Sequence, residues 1–324
     1  MKRISKLFLS VAAIVPLLSC CSNFDQEFPD YEYTAGYFPY QYPVRTLILG
    51  DYIYDNSNDN AHKFVISVAM GGVRENKQDR EFQVEVDESL CDGLLFSSGG
   101  DEIKPLPSNY YTLSSSDRIV IPKGKYNGGV EVQLTDEFFQ DPATIKNTYV
   151  VPMRIISSSD VDSILPGKDF TLFGIKYINE YHGTYFYYGK SNVKDNNGQT
   201  VEEVSYDSFK FIEDCPLVDL TTSGRYQVSL SLSFKSDKFK GSIPFLLDFE
   251  ENICSVTTNS SEYFVSGTGE FKDKAYSWGN KQRDGIVLKY SVKDKNGFTY
   301  SAEDVFVIRD KKVVMEVFSP VSKN

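Results

Sequence analysis

The sequence predicts an all-β protein with two domains, and three observations carry this prediction. The 324 residues include 22 Tyr and 23 Phe but only 4 Met, and aromatic residues are enriched in strands. Many segments alternate apolar with polar residues, a period of two that indicates strands with one buried face. Asn-Gly pairs between such segments favour tight hairpins. A chain of this length commonly forms two domains of roughly 150 residues.

Residues 1–19 have the pattern of an export signal. A basic region at 2–6 precedes an apolar stretch at 7–18, which is too short to span a bilayer. The stretch ends at Leu17-Leu18-Ser19-Cys20, which resembles the bacterial lipobox, in which the cysteine is acylated and becomes the new N-terminus. We therefore expect a lipoprotein signal peptide over 1–19, lipidation of Cys20, and a lipidated tether over 20–34 that attaches the protein to a membrane.

Residues 35–178 are expected to form an antiparallel sandwich of the Ig-like, Greek-key kind. Apolar and polar residues alternate at 82–86 and 130–134, and one short helix is expected within 136–146. Further strands are predicted at 45–49, 63–69, 118–121 and 149–156. Roughly seven short strands in a segment of this size are typical of such a sandwich.

Residues 179–324 are expected to form an antiparallel β-barrel or meander. One long alternating strand runs from Tyr226 to Phe234. Further strands are predicted at 261–274, 286–293, 298–308 and 312–318. Tight turns are predicted at Asn197-Gly198, Asp284-Gly285 and Asn296-Gly297, because these pairs readily adopt positive φ angles. The short connections imply that consecutive strands run up and down.

Charge and motifs argue against several functions. The chain has 34 Lys and Arg against 45 Asp and Glu, a formal net charge of −11, so a nucleic-acid partner is not expected. His62 and His182 are the only histidines, and the nucleophile elbow, the phosphate loop and the dinucleotide fingerprint are all missing. The Asn- and Asp-rich segment 51–60 offers calcium ligands but lacks the EF-hand spacing. We expect no enzyme activity, no metal and no cofactor.

Four cysteines remain once Cys20 is assigned to the lipid anchor: Cys21, Cys91, Cys215 and Cys254. An exported chain can form disulfides, although wide spacings do not reveal which cysteines pair. Cys215 and Cys254 share a predicted domain and form the pair worth testing. The alternative is that both are small buried apolar residues.

Aromatic side chains are the candidate ligand-binding residues. A flat ring can pack against the apolar face of a sugar while polar neighbours bind its hydroxyl groups. Trp278, the single tryptophan, lies in a polar, turn-like segment. Tyr185 and Tyr187 project to the same side of a predicted strand. Each of the three is also explained as a core residue, so a sugar site at these positions is a hypothesis.

Several segments resemble surface lipoproteins from bacterial glycan-utilisation loci. In the first half, the segments 106–113 (Leu-Pro-Ser-Asn-Tyr-Tyr-Thr-Leu), 119–124, 130–134 and 149–153 are similar to an N-terminal β-sandwich domain of unknown function. In the second half, the segments 181–185 (Tyr-His-Gly-Thr-Tyr), 278–281 and 308–313 are similar to the lipocalin-like β-rich domain that often follows it. The resemblance covers nearly the whole chain after the signal and supplies no catalytic residues.

This resemblance implies a lipid-anchored outer-membrane protein that faces the cell surface. Such a protein binds or presents oligo- or polysaccharides beside an outer-membrane transporter of a polysaccharide-utilisation system, without catalysis. A structural, adhesin-type or transporter-docking protein is the first alternative, and a contiguous exposed apolar patch favours it. An unrecognised glycoside hydrolase is the second, and it requires two carboxyl groups that converge in a cleft.

Overall fold

The structure is a computed structural model that describes residues 30–323. The predicted signal peptide over 1–19 and the predicted lipidation site Cys20 lie outside the described residues. Within residues 30–323, no helix is long and apolar enough to cross a membrane. Strands dominate the chain, which confirms the all-β class expected from the sequence.

The first unit is a β-sandwich with two short helices, α1 (Ser57–Asn60) and α2 (Asp136–Gln140). Its strands are β1 (Ala35–Tyr37), β2 (Pro43–Ile48), β3 (Lys63–Gly71), β4 (Arg80–Val86), β5 (Leu94–Leu95), β6 (Lys104–Pro105), β7 (Tyr111–Leu113), β8 (Arg118–Ile121), β9 (Asn127–Leu134), β10 (Tyr149–Ser157), β11 (Ser163–Ile164) and β12 (Phe170–Ile178). Single 3-10 turns span Glu88–Cys91, Ser108–Tyr110 and Pro142–Ile145.

The second unit contains the longest strands of the chain. Its strands are β13 (Gly183–Lys194), β14 (Thr200–Ser205), β15 (Leu217–Gly224), β16 (Gln227–Ser233), β17 (Ser242–Glu250), β18 (Ile253–Thr257), β19 (Tyr263–Trp278), β20 (Lys281–Asp294) and β21 (Thr299–Asp310). A 3-10 turn spans Ile212–Asp214. Two very short strands, β22 (Glu316–Val317) and β23 (Val321–Ser322), follow.

The sandwich packs a five-stranded sheet against a larger one. The first sheet has the order β11-β1-β3-β9-β7, and the second has the order β22-β2-β12-β10-β4-β8, with β6 beside β10. Alternate residues of β3 and β9 point between the sheets, where Ile66, Val68 and Val132 are buried. Three pairings, β1 with β11, β2 with β12 and β6 with β10, are parallel. Apolar alternation does not distinguish strand direction, so the sequence did not reveal them.

The second unit is an eight-stranded antiparallel barrel in up-and-down order. Strands β13 and β15 to β21 pair consecutively, and β21 closes the barrel by pairing with β13 along its length. Large side chains fill the interior, among them Phe245, Leu288 and Phe306, so the barrel encloses a packed core. This confirms the predicted barrel or meander.

Two of the three predicted glycine turns occur where expected, and the third does not. Gly198 and Gly297 have positive φ angles in turns between neighbouring strands. Gly285 instead lies inside β20, and the hairpin between β19 and β20 turns at Gly279-Asn280. A Cβ atom on Gly285 would stand 2.4 Å from the ring of Tyr276. The glycine is therefore needed for close packing rather than for a turn.

The predicted helix within 136–146 is shorter than expected. It ends at Gln140, and Asp141 is extended because the following residue, Pro142, disfavours helical geometry at the position before it. The chain continues as the 3-10 turn Pro142–Ile145.

The end of the chain returns to the first unit. The predicted barrel strand at 312–318 is absent, since β21 ends at Asp310, and β22 pairs with β2 while β23 pairs with β5. Phe318 is buried between Tyr42 and Phe96. The last residues of the predicted second domain, 179–324, therefore complete a sheet and a small core of the sandwich.

Candidate functional site

Tyr185 and Tyr187, two of the three predicted sugar-binding residues, lie in the barrel core. Their exposed fractions are 0% and 5%. The hydroxyl of Tyr185 donates to the carbonyl of Tyr181 at 2.9 Å, and the ring of Tyr187 stacks on Phe306. The prediction of ligand contact at these residues is wrong, because the side of β13 that carries them faces inward, which the sequence alternation could not specify.

Cys215 and Cys254, the pair that the sequence marks as worth testing, do not form a disulfide. Both are free and buried. Cys215 lies just before β15, whereas Cys254 lies on β18, with β16 and β17 between the two strands. Neighbouring strands are about 4.8 Å apart, so the two cysteines are beyond the distance a disulfide can bridge. The alternative expectation, small buried apolar residues, describes them.

Trp278, the third predicted residue, lies on the outer surface of the barrel near the tip of the β19–β20 hairpin. Its indole N–H donates to Glu213 Oε1 at 2.8 Å, and the Arg283 guanidinium lies 4.8 Å from the ring centroid. The rings of Trp278 and Phe186 pack edge to face, with their centroids 5.3 Å apart. Trp278 is half-buried, so it is held in place while part of its surface remains available to a ligand.

A bulge brings Trp278 to this position. Three residues of β19, 273–275, stand opposite Asp284 of β20. The extra residues bend the strand, and Lys274 adopts a positive φ of 47° within the bulge. The tip of the hairpin thereby reaches Phe186 on β13, a strand separated from β20 by β21.

Other aromatic residues lie on the same part of the barrel surface as Trp278, and no sequence pattern singles them out as ligand-binding residues. Tyr276 is two residues away on the same face of β19, and Tyr188 on β13 packs against Phe209 with ring centroids 4.9 Å apart. Phe209 and Phe211 belong to the exposed segment before β15. We call Tyr188, Phe209, Tyr276 and Trp278 the aromatic surface. The alternation at 185–188 hinted at it, since Tyr188 belongs to the set opposite Tyr185 and Tyr187.

A cleft of about 690 Å³ lies beside this surface, between the two units. Three segments form its walls: the loop after β2, the β19–β20 hairpin, and the end of β21 with the residues that follow it. The residues lining the cleft are Asp51, Tyr52, Ile53, Lys274, Lys281, Gln282, Arg283, Asp284, Ile308, Arg309, Asp310, Lys311, Lys312, Val313 and Val314. Arg283 connects the cleft with the aromatic surface, because it lines the cleft and its guanidinium lies over the Trp278 ring.

Polar contacts across the junction tie the walls of the cleft together. Lys311, which is buried, donates from Nζ to the carbonyl of Leu49 at 3.2 Å and to that of Glu180 at 2.8 Å. Burial lowers the pKa of Lys311 to about 8. On the opposite wall, Lys274 Nζ lies 2.5 Å from Asp51 Oδ2. The sandwich and the barrel therefore meet through bonds from both units.

Three carboxyl groups line the same cleft: Asp51, Asp284 and Asp310. Asp284 Oδ1 accepts a hydrogen bond of 2.9 Å from the backbone N–H of Lys274 in the bulge. Burial, with smaller contributions from Asp273 and Asp51, raises the pKa of Asp284. A glycoside hydrolase uses two carboxyl groups, one of them with a raised pKa, and Asp284 meets the condition on the pKa.

Apolar side chains flank the mouth of the cleft. Ile53 and Tyr54 on one side, and Val314 and Met315 on the other, are each at least 60% exposed. Exposed apolar groups beside a cavity can pack on a sugar ring or on a protein partner.

The Asn- and Asp-rich segment 51–60 is a structural loop. Asp59 is buried, pairs with Arg45 and accepts from the backbone N–H of Ile48 at 3.0 Å. Asn56 donates to the carbonyls of Ile48 and Gly50. In the described part of the chain, no group of three or more His, Cys, Asp or Glu side chains could hold a metal ion.

Two family models match the chain. One, described as an N-terminal domain, matches residues 30–162, and the other, DUF5627, a domain of unknown function, matches residues 180–312. Among solved structures, a protein of unknown function from Bacteroides ovatus is 34% identical with a TM-score of 0.82, and the match covers 90% of this chain and 99% of that chain.

Two further Bacteroides ovatus structures are much more distant. One, of unknown function, is 13% identical with a TM-score of 0.44, and the match covers 89% of this chain and 100% of that chain. The other, provisionally described as a carbohydrate binding protein, is 12% identical with a TM-score of 0.31, and the match covers 90% and 100%. No curated protein matches the chain.

Proposed function

The chain belongs to the two-domain family of the Bacteroides ovatus protein of unknown function, and from that premise we propose that it is a non-catalytic glycan-binding protein. The observation that supports this proposal is the aromatic surface beside the cleft between the two units. Aromatic rings supply apolar contact for sugar rings, and the polar groups of the cleft supply hydrogen bonds for hydroxyl groups.

We further propose that the protein acts at the cell surface, anchored to the outer membrane through acyl chains on Cys20. The support is the lipobox-like sequence, in which Cys20 follows a basic and an apolar segment. An outer-membrane transporter of a polysaccharide-utilisation system is the partner we propose, because a capture protein is useful only where its sugar is taken up.

The test of the glycan site is the variant Trp278→Ala. Because the indole supplies the ring on which a sugar would pack, we expect the affinity for a bound oligosaccharide to fall about tenfold, the loss typical of removing a stacking ring. Phe264→Ala is the matched control, since Phe264 is an exposed aromatic residue near the other end of β19. Equal affinity in both variants, with both folded, would place the sugar elsewhere.

Asp284 favours a second candidate function, glycoside hydrolysis. Its raised pKa suits a general acid, and Asp51 lines the same cleft. In that case the wild-type protein releases shorter products from a bound oligosaccharide, and Asp284→Asn abolishes the release while binding persists. Product analysis of the wild-type protein and the variant distinguishes this candidate from simple capture.

A further inference from the structure

The cleft is basic although the chain as a whole is acidic. Six of the residues that line it are cationic and three are anionic, whereas the chain carries a formal net charge of −11. The cations are Lys274, Lys281, Arg283, Arg309, Lys311 and Lys312. A local excess of positive charge against an acidic background attracts anionic ligands.

Four of the six cations already have partners within the protein. Lys274 pairs with Asp51, Lys312 with Asp219 and Arg309 with Asp310, whereas Lys311 donates to two backbone carbonyls. Within residues 30–323, Lys281 and Arg283 have no carboxylate partner. The unpaired charge of the cleft is therefore concentrated on two alternate residues of β20.

Arg283 is oriented for a planar anion. Its Nε donates to the carbonyl of Trp278 at 3.3 Å, and its guanidinium packs over the Trp278 ring. These contacts fix the plane and leave the two terminal Nη groups without a protein acceptor in the described residues. A guanidinium held in this way binds carboxylates through two parallel hydrogen bonds.

Lys281 extends the same site. It stands directly opposite Trp278 in the pairing of β19 with β20, and its side chain is exposed. Residues two apart on a strand share a face, so Lys281 and Arg283 both lie beside the indole. A ligand that carries one anionic group next to one apolar ring face matches this combination of side chains.

We infer that the site selects acidic glycans, with Arg283 and Lys281 binding the carboxylate of a uronic acid residue whose ring packs against Trp278. This inference rests on the proposed glycan-binding function and names the class of its ligand. A neutral sugar leaves both cations unpaired in the complex, which forfeits the charge-assisted hydrogen bonds.

The experiment is a calorimetric titration of the purified protein with acidic oligosaccharides and their neutral counterparts. The probes are oligogalacturonate, alginate and hyaluronan fragments, each compared with its carboxyl-reduced form. We expect at least one acidic fragment to bind about tenfold or more tightly than its reduced form, the effect of a charge-assisted hydrogen bond. Salt at about 1 M, where the Debye length is about 3 Å, should remove most of that preference.

Variants test whether Arg283 and Lys281 cause the preference for acidic over carboxyl-reduced fragments. Arg283→Gln and Lys281→Gln should each weaken binding of the acidic fragment about tenfold and reduce its preference over the carboxyl-reduced form to within about twofold. Lys293→Gln removes one exposed charge near the other end of β20 and should change neither affinity. Lys281→Gln keeps the test valid if loss of Arg283 disturbs the hairpin, because Lys281 makes no internal ion pair within residues 30–323.

The outcomes separate this inference from the proposed function. Equal affinity for the acidic and reduced fragments, or a preference that survives both variants, overturns the acidic-glycan inference and leaves glycan binding intact. If neutral oligosaccharides bind and acidic ones do not, the acidic-glycan inference is likewise overturned and glycan binding stands. No binding by any oligosaccharide overturns both.

Discussion

Asp304 is a carboxyl group inside the packed barrel. It is 1% exposed, and it accepts hydrogen bonds from the hydroxyl groups of Tyr206 and Tyr290. Burial raises the pKa of Asp304 to about 6, although the two hydroxyl groups oppose the shift. The barrel interior therefore contains one titratable network at the centre of an otherwise apolar and aromatic core.

This raised pKa predicts a specific dependence of stability on pH. Between about pH 4 and pH 6 the folded state holds a proton that the unfolded state has lost, so the contribution of Asp304 to stability declines as the pH rises through this window. Relative to Asp304→Asn, which does not titrate, the wild-type free energy of unfolding should fall by about 2 kcal/mol from pH 4 to pH 7. Urea unfolding at each pH measures the difference in free energy of unfolding between the wild type and Asp304→Asn. A difference that does not change with pH contradicts the raised pKa of Asp304.

Gly285 gives a second prediction at a single residue. In Gly285→Ala the new Cβ collides with the Tyr276 ring and with the backbone carbonyl of Phe306, so we expect a loss of about 1–3 kcal/mol in the free energy of unfolding. Gly71→Ala is the control, because Gly71 lies in a strand with open space around its Cα. Equal stability of the two variants, measured by urea unfolding, would contradict the packing role of Gly285.

The candidate site could be predicted from the sequence only in part. Trp278 was selected because it is the single tryptophan in a polar segment, and it lies beside the cleft. Tyr185 and Tyr187 were selected because they project to one side of a predicted strand. They are core residues, because alternation shows that a strand has two faces and not which one is inside. Arg283 and Tyr188 were missed, since their importance depends on strand pairing.

At the scale of elements, the strands were predictable and the irregularities were not. Strand β8 was predicted with its observed bounds, 118–121. The predicted bounds of the neighbouring strands differ from the observed ones by a few residues. These strands were predictable because each carries a clear alternation of apolar and polar residues. No alternation or other sequence pattern predicts the bulge at 273–275. It arises from the pairing of β19 with β20 and directs the hairpin tip toward the cleft.

The C-terminal segment leads to a prediction about the sandwich. Phe318 fills a small core between Tyr42 and Phe96, far along the chain from the sheet it completes. Phe318→Ala should lower the free energy of unfolding of the sandwich by about 3 kcal/mol, through the lost apolar contact and the cavity left behind. Scanning calorimetry reports the unfolding transition directly.

The control for that measurement is the neighbouring residue. Val317 is the last residue of β22, directly before Phe318, and is 60% exposed, so Val317→Ala should change stability by no more than about 0.5 kcal/mol. If Phe318→Ala is equally mild, the C-terminal segment does not stabilise the sandwich.

For the whole molecule, the proposed outer-membrane location predicts the effect of replacing Cys20, which lies outside the described residues. Acyl chains contribute about 0.8 kcal/mol for each buried methylene group, so Cys20→Ala should abolish fatty-acid labelling and remove the protein from the outer-membrane fraction. Cys21→Ala, the adjacent cysteine, is the matched control and should remain there. Undiminished labelling of Cys20→Ala would rule out the anchor.

The arrangement of the two units also explains why neither domain alone reveals the site. The cleft takes one wall from the loop after β2 and the others from the β19–β20 hairpin and the end of β21, and Lys311 joins them. A sequence read domain by domain places these segments in separate folds. Their proximity follows from the packing of the barrel against the sandwich.

Calorimetric titration of the purified wild-type protein with a panel of plant and host oligosaccharides, followed by product analysis of the same samples, tests the central claim most directly. The account predicts saturable binding of at least one oligosaccharide, with that oligosaccharide recovered unchanged. Product formation would contradict the non-catalytic role and point to Asp284. Absence of binding across the panel would contradict glycan capture and favour a protein partner at the apolar mouth of the cleft.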